Sequence, residues 1–547
     1  KDSTASLAIG GEGTRISSGA YGVTGKGGSV EVHATENLLL LNAGRIDSST
    51  LSSGDAGLVR ISAGSLTIDG QGSAETGISS GAYGTTGKGG SVEVAATRNI
   101  SLLNAGKIDS STLSSGDAGS VRVSTGSLTL AGEGTRISSG AYGTTGKGGS
   151  VEVTATENIS LLDAGRIDSS TLSSGDAGSV RISTGSLTLA GQRTRISSGA
   201  YGTAGNGGSV EVVATEQVSL FGAGRIDSST SSSGDAGSVK VNAGSLIIDG
   251  QGSTAGIGSA AFGSTGKGGR VDVAVSGNIS IFNGGYINTS TFSSGDAGSV
   301  RVSAGSLNID GQGAGAGIGS DPFGASGNTG NAGSIDVAVL GHFHMLRGGY
   351  IDASTFSAGD AGSVKVRAGS LSIDGQGLGA GITSGAYNGS TGRTGNVEVL
   401  ATGNMVILDG GYIDSSTTSS SDAGAVKVFA HHLTIDGHGY KTGISSDAAF
   451  GSTGKAGSVD VQATGGIAIL GGGRIDTSTH SSGQAGSVKV STAGLSVDGQ
   501  GFTLSGTGVF SNAEALSAGQ TGSVLVSASD RITIANGGRL SVQNFAT

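Results

Sequence analysis

The chain has 547 residues, 109 of them glycine, with one proline, no cysteine, 13% charged residues, 35% hydrophobic residues and a formal net charge of −10. A single proline excludes collagen and proline-rich disorder, and the apolar content is too high for a disordered chain. The acidic balance argues against a nucleic-acid partner, and the lack of cysteine removes disulfides and thiolate metal sites.

No apolar run is long enough to cross a membrane as a helix, so no membrane insertion is expected. The chain begins at Lys1 with neither an initiator Met nor a signal peptide, and so reads as a processed or excised piece. Its first recognisable segment, "SLAIGGEGTRISSGAYG" (Ser6 to Gly22), matches "SLTLAGEGTRISSGAYG" from Ser127. Repeats of this kind override any domain count based on length.

The motif GSVxV sets the period. Its first valine falls at Val30, Val59, Val92 and Val121 and continues to Val524, seventeen anchors in all. Every second interval is 29 residues, and the others run from 30 to 36. A fixed unit therefore alternates with a variable one. The fixed unit holds "VEV" (Val30 to Val32), "LLLL" (Leu38 to Leu41) and "RIDSS" (Arg45 to Ser49). The variable unit holds "VRIS" from Val59, "SLTID" from Ser65 and "GISS" from Gly77. Period-two alternation predicts strands with one buried face, here Val30, Val32, Leu38, Leu40, Ile46 and Ser48. A glycine stands two residues before every anchor, from Gly28 to Gly522, and marks a corner that a Cβ would obstruct.

Three strands and three corners in about thirty residues make one coil of a parallel stack. The predicted fold is all-β: a parallel β-helix (β-solenoid) of triangular section, right-handed by the crossover preference. About seventeen coils spaced roughly 4.8 Å apart would make a single rod near 80 Å long, residues 1–547, with incomplete first and last coils. Two other folds fit less well. The recurring "DG" (Asp69, Asp249, Asp310, Asp374) suggests hairpins, but a meander does not need one motif order in one direction. A propeller blade has four strands and no internal halving.

"GAYGTTGKGG" at 81–90 looks like a phosphate cradle but is not one. The first glycine of a P-loop would fall on Ala82, the residue after Lys88 is Gly89, and the stretch recurs along the chain. Four residues before each anchor the column reads Lys26, Asp55, Lys88, Asp117, Lys147, Asp176, Asn206, Asp235, Lys267, Asp296. Stacked at one corner, this is a charge ladder. Each exposed pair contributes about 0.2–1 kcal/mol, and the ladder's larger effect is to penalise a one-coil slip. A neighbouring column carries Tyr21, Tyr83, Tyr142, Tyr201, Phe262, Phe292, Phe323, Phe356 and Tyr387, with Leu51, Leu113 and Leu172 interleaved. It predicts either an apolar seal for a corner or an aromatic track for sugar rings.

Other candidates have structural explanations. Asp47, Asp109, Asp168, Asp227, Asp352, Asp414 and Asp476 form an outward column, but a catalytic site breaks a repeat and these residues are the repeat. No catalytic, cofactor or metal site is expected. "HFHM" (His342 to Met345) should point Phe343 and Met345 inward and the two histidines outward, with no third ligand nearby. Arg136, Arg166, Arg195 and Arg225 stack on four successive coils and could catch an anionic glycan, although the adjacent Asp168 and Asp227 favour a solvated face.

Units such as "INTSTFSSGDAGSVRVSAGSLNIDGQG" (Ile287 to Gly313) closely resemble the repeats of filamentous-haemagglutinin-like proteins, especially large cyanobacterial ones. The resemblance covers nearly the whole chain. It implies a secreted parallel β-helix on the bacterial outer surface, exported through an outer-membrane barrel, that acts as an adhesin or surface fibre. Its expected partners are surface glycans or neighbouring cells. The family's amino-terminal secretion domain does not occur in this sequence, and the family offers no catalytic residues to transfer. Both ends lack a visible cap. This suggests either a fragment of a longer rod or copies that stack end to end as a filament.

Overall fold

A computed structural model describes residues 3–322, 329–387, 390–502, 506–515 and 517–545. Among the described residues there are strands, turns and bends and no helix. The chain divides into two compact units, Lys1–Asp272 and Val273–Thr547.

In unit 1 the anchors stack as the period requires. Val30 pairs with Val59, Val59 with Val92, Val92 with Val121 and Val121 with Val151, all in parallel. The third strands pair in the same order, with Ile46 beside Ile78, Ile78 beside Ile108 and Ile108 beside Ile137. Unit 2 repeats the arrangement, running from Ile335 through Val364, Val397 and Val426 to Val459. Each unit is a parallel β-solenoid. Hairpins are excluded because the paired strands are parallel. The "DG" dipeptides instead open the turn that leads to the third strand. Asp69 Oδ1 accepts the Gln71 N–H at 3.0 Å, and Gln71 takes a left-handed φ of 48°.

The first two strand segments of a coil lie in one sheet, and the bend between them is shallower than a corner. Strand Ser29–Leu41 runs through both segments. Ala34 faces Ala63 and Asn37 faces Ser65, so Thr35 and Glu36 together oppose Gly64 alone. Two residues against one is a β-bulge, which bends a strand without ending it. The third segment, such as Arg45–Asp47, belongs to a separate sheet. Beyond it, single bridges link Thr50 to Ala82 and Ala82 to Thr112.

The predicted inward set is buried: Val30, Val32, Leu38, Leu40, Ile46 and Ser48. Each buried aliphatic side chain contributes about 1.5–3 kcal/mol, and it is covered only when a coil lies on either side. The anchor glycine acts through close approach. A Cβ on Gly90 would collide with the Gly57 carbonyl oxygen, and one on Gly57 with that of Gly28. Neither glycine has a positive φ, so the requirement is for space between coils.

Candidate functional site

The charge ladder has a direction. Lys26 Nζ lies 3.4 Å from Asp55, Lys88 Nζ 3.5 Å from Asp117 and Lys147 Nζ 3.1 Å from Asp176, so each ammonium reaches the aspartate of the following coil. Each aspartate also accepts the backbone N–H of the next cation. Lys88 N donates to Asp55 at 3.0 Å, Lys147 N to Asp117 at 3.0 Å and Lys267 N to Asp235 at 2.8 Å. Where asparagine replaces lysine, Asn206 donates both its N–H and its Nδ2 to Asp176, at 3.1 and 2.9 Å, and its Oδ1 accepts the N–H of Asp235 at 2.9 Å. In unit 2, Asp296 accepts both the N–H and Nδ2 of Asn331, at 3.1 and 3.0 Å. The backbone bond from Lys88 is the main influence holding the Asp55 carboxyl below its usual range, and the bond from Asn206 does the same for Asp176. The aspartate is therefore the register-setting member of each pair.

The outward carboxylates are not a solvated face, which corrects the reading from sequence. Asp47, Asp109 and Asp168 are buried. The tyrosine of the preceding coil folds over each one and donates its hydroxyl. Tyr21 lies 2.8 Å from Asp47, Tyr83 3.1 Å from Asp109, Tyr142 3.0 Å from Asp168 and Tyr201 3.3 Å from Asp227. In unit 2, Tyr387 caps Asp414 at 2.5 Å. Serines complete the shell, as Ser111 and Ser138 each donate to Asp109 at 2.6 Å. Burial pushes the Asp109 carboxyl up, but Arg136 and the two serines outweigh it and hold the group below its usual value. At Asp227 burial wins and the carboxyl rises. Burial beside these carboxylates raises the Tyr83 and Tyr142 hydroxyls far above the normal tyrosine range.

The glycine two residues before each tyrosine makes the lid possible. A Cβ on Gly81 would lie 2.6 Å from the Tyr83 ring and 2.6 Å from the Ser111 carbonyl. Where alanine stands there, as at Ala260, the aromatic two residues later, Phe262, is exposed. The aromatic column thus forms neither an apolar seal nor one continuous track. Tyr21, Tyr83, Tyr142, Tyr201 and Tyr387 are lids, Tyr21 a half-exposed one, whereas Phe292, Leu51, Leu113 and Leu172 remain exposed. Phe356 packs against Tyr387 with ring centroids 5.9 Å apart. Phe323 lies outside the described residues.

Two residues before each carboxylate of unit 1 lies a cation. Lys107, Arg136, Arg166, Arg195 and Arg225 are paired neighbours on five successive coils. Strand spacing sets them roughly 4.8 Å apart, a repulsive arrangement. Burial, reinforced by Arg136 and Arg45, lowers the Lys107 ammonium, and burial with Arg195 lowers Arg166. At the start of this face a groove of about 500 Å³ is lined by Arg15, Arg45, Lys107, Arg136, Tyr83 and Leu113, among others.

Unit 2 differs at the same positions. Tyr350, Gly381, Tyr412 and Gly443 alternate in the cation column, and a Cβ on Gly381 would meet the Tyr412 ring. The coil before Asp476 has no lid. "SSDAAF" (Ser445 to Phe450) has Asp447 where the five lidded coils have glycine, a place that Asp321 also fills, and Ala449 where they have tyrosine. A pocket of about 310 Å³ opens there, lined by Tyr412, Asp414, Lys441, Asp447, Ala449, Arg474 and Asp476 among others. Asp447 is buried, its Oδ1 has no hydrogen-bond partner, and its Oδ2 lies 3.7 Å from Lys441 Nζ. Burial and then Asp476 drive the Asp447 carboxyl up to about 8. Asp476 goes the other way, because its ion pair with Arg474 and the Ser478 bonds outweigh burial. Sequence reasoning missed this site. The signal was available as a glycine-to-aspartate change at the column of Gly81, Gly140, Gly199 and Gly385.

The remaining candidates fall as expected from their alternation. Phe343 and Met345 are buried, while His342 and His344 are exposed. Among the described residues no group of three or more acidic, histidine or cysteine side chains is arranged to hold a metal ion, and no helix is long and apolar enough to cross a membrane. Comparison with protein-family models, curated proteins and solved structures gives no match for this chain.

Proposed function

We propose that the protein is a secreted structural and adhesive β-solenoid of a bacterial surface, without catalysis of its own, that holds an anionic glycan along the cationic face of unit 1. The observation that supports this reading is the run of five cations, Lys107 to Arg225, held in coil-to-coil register beside lidded aspartates. Like charges set this close destabilise one another, and a linear polyanion laid across the coils relieves that repulsion at every step. The carboxylates beneath, such as Asp109 and Asp168, are buried and already take tyrosine and serine hydroxyls, so their hydrogen-bonding capacity is spent within the protein. Charge-assisted contacts contribute about 1.5–3 kcal/mol each and weaken with salt. The resemblance to haemagglutinin-like repeats points the same way.

The test is oligogalacturonate binding by calorimetry at low and high salt, comparing the wild type with the triple variant Arg136→Gln, Arg166→Gln, Arg195→Gln. The reading predicts salt-sensitive binding that falls at least tenfold in the variant. No binding, or equal binding by both proteins, would refute it.

A further inference from the structure

The geometry points to a second, separate site: we infer that the unlidded pocket around Asp447 in unit 2 takes one neutral, polyhydroxylated ring, a single sugar unit. The pocket exists because of a paired substitution. In the coils of Tyr83, Tyr142, Tyr201 and Tyr387 a glycine leaves room for the ring that caps the next carboxylate. At Asp447 a side chain fills that room, and residue 449 is alanine. Asp476, which the missing ring would have capped, now lines an open pocket together with Asp447.

The chemistry of the lining selects the occupant. Asp476 is an acceptor, Asp414 lies beside it already capped by Tyr387, Ser416 and Ser445, Lys441 and Arg474 are donors, and Tyr412 contributes a ring. With Asp447 protonated, these two carboxylates and two cations cancel. A cation would face Lys441 and Arg474, and an anion would face the two carboxylates. The described acidic groups are not arranged for a metal ion. A volume of about 310 Å³ is at the small end of ligand pockets, which run roughly 300–1,000 Å³. A ring bearing several hydroxyls offers donors and acceptors together. One hydroxyl would also supply the hydrogen bond that Asp447 Oδ1 lacks, an omission that is costly inside a protein. Arg474 is held for this role by its ion pair with Asp476 and by stacking 4.4 Å over the Phe510 ring. The site shares no residue with the cationic face of unit 1 and does not depend on that reading.

The experiment uses the full chain, titrated by calorimetry with malto-, cello-, laminari- and galacto-oligosaccharides and, separately, with oligogalacturonate. Three proteins are compared: wild type, Lys441→Gln, and the double variant Asp447→Gly, Ala449→Tyr. The double variant restores the Gly-Ala-Tyr sequence that folds in five other coils and re-forms the lid. The inference predicts that at least one neutral series binds the wild type one-to-one, that Lys441→Gln weakens it about tenfold, and that the relidded variant abolishes it. The Arg136, Arg166, Arg195 triple variant should bind the same sugar unchanged. Failure of every neutral series to bind overturns the inference. So does binding that survives relidding, or binding of oligogalacturonate alone.

Discussion

In unit 1 the outward position before the third-strand isoleucine carries a cation on five successive coils, from Lys107 to Arg225. In unit 2 the same position alternates tyrosine with glycine from Tyr350 through Gly381 and Tyr412 to Gly443, and cations return only singly, at Arg474 and Arg539. The backbone is the same and so is the carboxylate column two residues on. The difference lies in what compensates that buried charge. Around Asp109, Arg136, Ser111, Ser138 and the Tyr83 hydroxyl together keep the carboxyl ionised. Asp447 stands outside that column, at the lid-glycine position of a coil without a tyrosine lid; burial first and then the neighbouring Asp476 raise its carboxyl to about 8, although Lys441 Nζ lies 3.7 Å away. A solenoid repeats its backbone faithfully, and function on it is written in the few outward columns where one coil departs from the rest.

The comparison breaks most sharply at the two aspartates themselves. Asp109→Ala removes a buried acceptor from a tyrosine, two serines and a cation, and should cost about 3–5 kcal/mol. Hydrogen exchange of the flanking coils is the readout, because a repeat array need not melt in one step. Asp447→Asn should have the opposite sign at alkaline pH. The Asp447 carboxyl has an ordinary value of 3.8 and titrates at about 8 in the fold. Its contribution is therefore fully present below about pH 4 and is lost as pH rises toward 8. The groups facing it are Asp414, Asp476, Lys441, Arg474 and Tyr412. The variant should match the wild type at about pH 4 and exceed its melting temperature by about 5 °C at about pH 9. Equal melting at both values would remove the buried neutral acid from the account.

Next in size is the glycine that admits the lid. Gly81→Ala should displace the Tyr83 ring, expose Asp109 and cost about 1–3 kcal/mol, whereas Ala260→Gly should cost far less. Proteolytic sensitivity at the Tyr83 bend separates the two outcomes. The smallest effect belongs to the charge ladder. Asp117→Ala loses a backbone bond from Lys147 as well as the Lys88 ammonium and should cost about 1 kcal/mol. Lys88→Ala loses only an exposed ion pair, about 0.5 kcal/mol or less. Equal costs would mean the aspartate has no special part in register.

Much of the fold was legible in the sequence because its period is carried by residues with single physical roles. Val30 and its counterparts need burial, and Gly57 and its counterparts need space between coils. The ladder was legible too, since stacking follows directly from spacing. Alternation also gave the correct face for Asp109, but not its burial. Alternation says which way a side chain leaves a strand and nothing about what folds back over it. The cover is Tyr83, which reaches the next coil's aspartate from a bend five residues beyond the third-strand isoleucine. That contact is fixed by the space at Gly81, which spacing rules do not register. The Asp447 pocket was hidden for a related reason. Its column holds glycine in five coils and serine, alanine, asparagine, glutamine or aspartate in the rest, and spacing alone does not mark the glycine as the residue that admits a ring.

The central claim is that equivalent residues of consecutive coils lie side by side in one column. The absence of cysteine allows a direct test. Arg136 and Arg166 are paired neighbours, so their Cα atoms should lie roughly 5 Å apart, within reach of a disulfide. Arg136 and Arg195 are two coils apart, roughly 10 Å, and beyond it. Under mild oxidation Arg136→Cys with Arg166→Cys should close an intrachain disulfide, and Arg136→Cys with Arg195→Cys should stay reduced. Cross-linking of the second pair and not the first would contradict the stacked columns on which the lids, the cationic face and the pocket all depend.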